Sequence, residues 1–246
     1  MGSRRRLIAV GFALALVVAA CSSGSPAKTS NNGGGNDNGG GGTTLSSGLS
    51  ANLDQLASYK FSWNYFGAST GGAGSPMETG SFAITGTVIN SPPKSISVSY
   101  FGVQYIQIAD QQWSSFDGTT WMATDASSAA DLSTMLPTSA YGSWFDTNSG
   151  QFSSAGDETK NGVACVHYKG NDSLSGLYSK IAGVSASFQA DLWVAKDGNY
   201  PVSGAYGFTT SSAGQAGTFG YTFDITNIND SSNKIDPPTN VQAMPS

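Results

Sequence analysis

The stretch Tyr59-Lys60-Phe61-Ser62-Trp63-Asn64-Tyr65 alternates aromatic and polar residues with a period of two. This alternation predicts a β-strand with one buried face, because successive side chains of a strand point to opposite faces. Further runs that favour strands cover residues 82–89, 94–101, 103–109, 112–116, 119–124, 163–169, 185–195, 200–210 and 218–228. The pairs Asp117-Gly118, Asn161-Gly162 and Asp197-Gly198 are typical of hairpin turns, so neighbouring strands should be antiparallel.

Helices are fewer than strands. Apolar residues at helical spacing predict three of them: one carries Leu49, Leu53 and Leu56, a second carries Leu132, Met135 and Leu136 before Pro137, and a third covers residues 172–181. The sequence therefore predicts an α+β domain that is mainly antiparallel β.

The N-terminus has the three parts of a secretory signal. Residues 4–6 are arginines, residues 7–18 are uncharged and mostly apolar, and Val18-Ala19-Ala20-Cys21 places small residues before a cysteine. The pattern resembles the lipobox of bacterial lipoproteins and predicts a signal peptide over 1–20 and a lipid anchor on Cys21. An uncleaved transmembrane anchor is the alternative, but the apolar run is shorter than the roughly 20 residues that a spanning helix needs. The arginines fit either an ordinary or a twin-arginine export signal.

Composition changes sharply after Cys21. Residues 22–47 are rich in Gly, Ser and Asn, so we expect 21–47 to be a lipidated, disordered tether and 48–246 to be one folded domain. Removing the three signal arginines leaves eight basic against 16 acidic residues, a net charge of about −8 that disfavours nucleic acid as a partner. Only Cys165 then remains, and it has no intramolecular disulfide partner. We expect a monomer at the outer face of the cell membrane, or at the outer membrane of a bacterium that has one.

Four segments in this order resemble a known family. They are Leu53–Phe61, Trp113–Trp121, Asn161–Tyr168 and Asp191–Val202. Together they are similar to the LolA-like lipoprotein superfamily, in particular to lipid-carrying lipoproteins of the mycobacterial LppX and LprG type. The resemblance implies a strongly curved antiparallel half-barrel with helices on its concave face and an apolar cavity for acyl chains between them.

One set of apolar residues would share the concave face and form the candidate lining of that cavity: Phe61, Trp63, Phe82, Ile84, Ile96, Val98, Ile106, Ile108, Phe188, Leu192, Phe219, Tyr221 and Phe223. The same residues could instead form a close-packed core, because apolar stripes usually bury against protein. Trp193 has the opposite parity to Leu192 and is expected on the convex side or beneath a loop.

No catalytic signature is evident. His167 is the only histidine and lies two residues from Cys165, where neighbours on one strand point side by side and do not form a thiolate nucleophile or a closed metal site. The acids Asp157, Glu158 and Asp230 are read as solvated loop charges. We expect no enzyme activity, no metal and no cofactor. Three classes stay open: a membrane-tethered binder of lipid or another hydrophobic ligand, a cell-envelope interaction or sensor module, and a hydrolase.

Overall fold

The computed structural model describes residues 45–70, 76–124, 129, 131–136, 145, 147–171, 185–212 and 215–242. The chain divides into two units, Met1–Gly40 and Gly41–Ser246, and every described residue belongs to the second. The predicted signal peptide, Cys21, most of the predicted tether and the third predicted helix therefore lie outside the described residues.

One antiparallel sheet dominates the described part of the chain. Its strands are β1 Ser58–Thr70, β2 Pro76–Ile89, β3 Ser95–Tyr100, β4 Val103–Ile108, β5 Gln111–Ser115, β6 Trp121–Thr124, β7 Phe152–Lys160, β8 Val163–Gly170, β9 Ser185–Ala195, β10 Pro201–Ser212, β11 Gln215–Thr226 and β12 Val241–Gln242. The order across the sheet is β12-β6-β5-β4-β3-β2-β1-β11-β10-β9-β8-β7. The sheet is curved and does not close, in agreement with the predicted fold class.

Tight turns fix the register of several strand pairs. Asn161 and Gly162 have φ of 52° and 80° and join Lys160 to Val163, the left-handed pair that a two-residue hairpin requires. Phe101 and Gly102, with φ of 49° and 78°, join β3 to β4 in the same way. The first turn has the expected Asn-Gly sequence, whereas the second places a bulky aromatic residue where glycine or asparagine is usual.

The core lies on one face of the sheet, which we call the inner face. Register places Phe61, Trp63 and Tyr65 of β1 opposite Ile225, Phe223 and Tyr221 of β11, and these pairs share the inner face. The buried residues of the core cluster are Leu45, Leu49, Leu53, Leu56, Tyr59, Phe61, Ile84, Val88, Ile96, Val98, Leu132, Leu136, Phe145, Phe152, Tyr168, Phe188, Ala190, Leu192, Val194, Phe223 and Ile225. The outer face carries mainly Ser and Thr on β2 and β3, and Lys60, Ser62, Asn64 and Phe66 on β1.

Helical structure is sparse among the described residues. The first predicted helix is α1 Leu49–Leu53, and the second is a 3-10 turn over Leu132–Met135, followed by another 3-10 turn at Ser149–Gln151. The buried leucines of the first two belong to the same cluster as the inner face. A layer of helices over the inner face is not shown by this part of the chain.

Two strands have no counterpart in the sequence prediction. β7 has a single buried residue, Phe152, and is otherwise polar and exposed, because it is an edge strand with charged residues along it. A bulge between Ser154 and Gly156, where Gly156 has φ of 122°, further interrupts its alternation. β12 is two residues long and pairs in parallel with β6, too short to leave a periodic pattern.

The two ends of the sheet differ. The end that holds α1 is the near end: Ser46 Oγ donates to Asn199 Oδ1 at 3.0 Å, and Asn90 Nδ2 donates to the Leu56 carbonyl at 2.9 Å. Leu45 is only 4% exposed, so residues 45–47, placed in the tether by the sequence, pack against the domain. The opposite end, where β3 turns into β4 and β5 into β6, is the far end.

Candidate functional site

The structure separates the thirteen candidate lining residues into three groups. Buried members of the inner-face core are Phe61, Ile84, Ile96, Val98, Phe188, Leu192 and Phe223. Inner-face residues that keep some exposure are Trp63, Phe82, Phe219 and Tyr221. The first group packs against protein, so the second group is the part of the set that a ligand can reach.

Ile106 and Ile108 form the third group, and for them the predicted face is wrong. Ile106 pairs with Ser97 and Ile108 with Ser95, so both share the outer face, while Tyr105 pairs with Val98 on the inner face. Both faces of β4 carry apolar residues, so the sequence alone does not show which face of this strand points to the core. Ile106 also pairs with Trp113, which is 9% exposed. This pairing explains why β4 has apolar residues on its outer face as well as on its inner face.

Aromatic rings form a continuous row on the inner face, which we call the aromatic band; it runs from the exposed Phe101 to the buried Phe188, and the rings between them are half-exposed. Across the sheet its members are Phe101, Tyr100, Phe82, Tyr65, Tyr221, Tyr206, Phe208 and Phe188. Consecutive ring centroids are 4.3–6.1 Å apart, within the range of favourable aromatic pairs. Trp63 contacts Tyr221 at 5.8 Å beside this row. The band crosses β3, β2, β1, β11, β10 and β9.

Sequence reasoning missed five members of the band: Tyr65, Tyr100, Phe101, Tyr206 and Phe208. A usable signal existed, because Tyr65 continues the alternation of Phe61 and Trp63, and Tyr206 and Phe208 alternate with small residues. Tyrosines are amphipathic, and their placement on a core face is not obvious from the sequence.

The band is suited to an apolar ligand. Inner-face residues of β1, β10 and β11 include no charged side chain, as the register of these strands shows. Burial is complete near α1, at Tyr59, Val88 and Ile225, and becomes partial toward the far end, at Tyr65, Phe82 and Tyr221. Contiguous exposed apolar surface of this kind is typical of ligand grooves and interaction sites.

A matched pair of phenylalanines lies on the two faces at the level of the band. Phe219 is 37% exposed on the inner face, where it packs over Gly67. Phe66 is 40% exposed on the outer face, where it packs over Gly220. The two rings have nearly equal exposure in adjacent strands and differ in the face that they occupy.

A groove of about 430 Å³ lies on the outer face. Its lining includes Lys60 and the hydroxyl side chains Ser62, Thr85, Thr87, Ser97, Ser99 and Thr226. Hydroxyl groups and an ammonium group favour polar solutes, so this groove does not suit an acyl chain.

His167 is the centre of a polar cluster on the outer face of β7, β8 and β9. Its Nδ1 lies 2.9 Å from Glu158 Oε1 and its Nε2 lies 2.7 Å from Asp191 Oδ1. The ring stacks on Trp193 at 4.4 Å and 12°, and Trp193 Nε1 donates to Glu158 Oε2 at 2.7 Å. Lys160 Nζ lies 4.4 Å from the centre of the same indole. Trp193 thus lies on the face opposite to Leu192, as its parity predicts, and its indole stacks on a histidine that lies between two carboxylates.

The geometry does not assemble a Cys/His nucleophile from these residues. Both ring nitrogens of His167 face carboxylates, and Cys165 Sγ donates to the Val163 carbonyl at 3.3 Å. Burial raises the pKa of the Cys165 thiol, which opposes thiolate formation. The indole hydrogen bond from Trp193, with His167 second, lowers the pKa of Glu158. Within the described residues no three His, Cys, Asp or Glu side chains are grouped to hold a metal ion.

None of the helices in the described part of the chain has the length and apolar character to span a membrane. No protein-family model and no curated protein matches the sequence.

Solved structures with similarity to this chain include three from bacteria. LprF from Mycobacterium bovis has a TM-score of 0.40 and 11% identity and covers 78% of this chain and 93% of its own. The lipoprotein LppX of Mycobacterium tuberculosis has a TM-score of 0.34 and 16% identity, with coverage of 75% and 97%. A DUF1329 family protein from Desulfovibrio piger has a TM-score of 0.23 and 13% identity, with coverage of 76% and 92%. LppX is also one of the two proteins that name the lipoprotein type that the sequence resembles.

Proposed function

We propose that this protein is a membrane-anchored, extracytoplasmic lipoprotein whose domain binds a lipid or another hydrophobic ligand on its inner face. The aromatic band carries the proposal: it is continuous over six strands, apolar, half-exposed and located beside a fully buried core. Apolar area left in water is unfavourable by about 25 cal/mol per Å², so covering the band with an acyl chain is a source of affinity.

The role of the core is to hold the band in place. Tyr59, Val88 and Ile225 are fully buried at the near end and give the curved sheet a rigid base. The half-exposed rings at the other end can then be covered by a ligand without unfolding the base. Specificity would come from the shape of the covered surface more than from hydrogen bonds, because the band is mainly aromatic.

The N-terminus supplies the location in this proposal. Acyl chains on Cys21 would anchor the protein, and residues 22–44 would link the anchor to the domain. Helices that complete an enclosed cavity above the band, an occupied site and a monomeric state belong to the same proposal.

The experiment is ligand capture followed by a matched pair of substitutions. Native mass spectrometry of the mature chain, purified without detergent, should show bound lipid. In titrations with the hydrophobic fluorophore N-phenyl-1-naphthylamine, Phe219→Ala should weaken binding about fivefold, while Phe66→Ala should change it less than about twofold. Equal loss in both variants, or no captured ligand and no fluorophore binding, would contradict the proposal and favour the interaction or sensor module.

A further inference from the structure

Two phenylalanines lie at neighbouring hairpin tips of the far end, and we call them the aromatic lip. Phe101, in the β3 to β4 turn, is 67% exposed, and Phe116, in the β5 to β6 turn, is 72% exposed. Because β3, β4, β5 and β6 are consecutive in the sheet, the two tips are about 10 Å apart. They are the most exposed large apolar side chains among the described residues.

The lip meets the aromatic band at Phe101, which belongs to both. The ring of Phe101 lies 4.3 Å from that of Tyr100 and 5.2 Å from that of Phe82, both members of the band. A molecule that leaves the lip therefore meets aromatic surface without crossing a polar barrier on the way to β1 and β11.

The backbone at Phe101 indicates that this exposure has a use. Its φ of 49° is in the left-handed region, which is unfavourable for a bulky side chain. Glycine or asparagine at this position would relieve the backbone and would expose less apolar area. An unfavourable conformation that also presents an aromatic ring to water points to a binding role.

Charge defines the kind of partner. The described tip residues 101–102 and 116–120 contain no basic side chain, and their one acid is Asp117. Asp117 Oδ1 accepts hydrogen bonds from the amides of Thr120 at 2.7 Å and Thr119 at 2.8 Å, so this carboxylate shapes the turn. These tips offer no basic side chain to an acidic partner, whereas their two exposed rings can bind a neutral apolar medium.

We infer that the aromatic lip inserts into the surface of a neutral lipid bilayer and delivers the ligand between bilayer and band. The inference rests on the proposed function. The predicted linker from Cys21 supports this occupant, because its root-mean-square reach of roughly 30 Å would keep the domain beside the membrane although the chain enters the domain at the near end. The lip can therefore turn toward the membrane that holds the anchor.

The test is binding of the mature chain, residues 21–246 with Cys21→Ser to remove the lipid, to sucrose-loaded phosphatidylcholine vesicles. Phe101→Ala or Phe116→Ala should lower the partition coefficient about fivefold, and the double variant more than tenfold. The matched control is Ala109, which occupies the β4 to β5 turn at the near end with φ of 52° and is also exposed. The combined variant Phe101→Ala, Ala109→Phe keeps the composition and should bind as weakly as Phe101→Ala alone.

Vesicle binding that is restored by Ala109→Phe would overturn the inference, because general hydrophobicity would then suffice. No vesicle binding by the wild type would also overturn it and would leave a protein partner for the lip. Titration with N-phenyl-1-naphthylamine without vesicles separates the two proposals. Fluorophore binding that persists in Phe116→Ala, whose ring lies outside the band, supports the inference, whereas vesicle binding by a chain that takes up no fluorophore supports the lip and contradicts the proposed function.

Discussion

Gly86 provides a direct test of how tightly the near end of the inner face is packed. An alanine Cβ at this position would lie 2.6 Å from the Cε1 and Cζ atoms of Phe61 and would also meet the carbonyl oxygen of Ser97. Phe61 is 3% exposed and faces Gly86 across β1 and β2, and the carbonyl belongs to the β3 ladder. Neither neighbour can move without disturbing the core.

The expected cost of Gly86→Ala follows from these contacts. Overpacking a core lowers the free energy of unfolding by about 1–3 kcal/mol, whereas replacing glycine with alanine in a strand raises it by about 0.5–1 kcal/mol. The net loss in the free energy of unfolding should be about 1–2 kcal/mol, or a decrease in Tm of about 3–6 °C for a domain of this size. Gly207→Ala is the control, because its Cβ would meet only the Phe219 carbonyl oxygen, at 3.5 Å, an ordinary contact. It should be neutral or stabilising by about 0.5 kcal/mol.

Urea unfolding followed by tryptophan fluorescence measures both variants. Gly86→Ala should lower the midpoint at an unchanged slope, since the amount of surface exposed on unfolding stays the same. If Gly86→Ala were tolerated as well as Gly207→Ala, the near end would not be a packed core, and the distinction between buried base and half-exposed band would fail.

Three further predictions concern the anchor, the polar cluster and the band. Cys21→Ser should release the protein from membranes or leave an unprocessed precursor; unchanged membrane fractionation, together with a wild-type mass without acyl groups, would contradict this. Glu158→Gln should destabilise the protein at pH 7, and because hydrogen bonds from Trp193 and His167 lower the folded-state pKa of Glu158, the difference from wild type should shrink as the pH falls below about 4.5; a difference that grows toward pH 3 in urea titrations would refute the hydrogen-bonded cluster. Ala190→Trp, at a site 4% exposed opposite Tyr206, should weaken fluorophore binding while circular dichroism stays native, and full binding by a folded variant would speak against the inner-face site.

The linker is a separate prediction. Residues 22–44 should show no protected amides in hydrogen exchange and should be cut by protease before the domain, because they have almost no apolar side chains to bury. Slow exchange throughout this stretch would contradict the tether.

Much of the sheet was predictable because its long strands alternate strictly. The predicted runs match the bounds of β9, β10 and β11 within about three residues, whereas they lack the first six residues of β2 and the last five of β1. β7 was not predictable in this way, because an edge strand with one buried residue has no second apolar position to mark it. The alternation within β4 shows which residues share a face but not which face points to the core. For Ile106 and Ile108 that follows only from their pairing with Ser97 and Ser95 of β3.

The site was predictable only in part. Trp63, Phe82, Phe219 and Tyr221 were identified from parity, but the division of the inner face into a buried base and a half-exposed band depends on where α1 and the 3-10 turn at Leu132–Met135 pack. The His167 cluster was not predictable, because its residues come from three strands. The sequence shows His167 close to Cys165, whereas its hydrogen-bond partners Glu158 and Asp191 lie on β7 and β9.

Photolabelling with a diazirine fatty acid tests the central claim most directly, because neighbouring residues of one strand report on opposite faces. After irradiation of the mature chain and peptide mass spectrometry, adducts are predicted on the inner-face residues Tyr65, Tyr206 and Tyr221. Their outer-face neighbours Asn64, Ala205 and Thr222 should remain unlabelled. Labelling of the outer-face residues in preference to the three tyrosines would contradict the claim that the aromatic band binds the hydrophobic ligand.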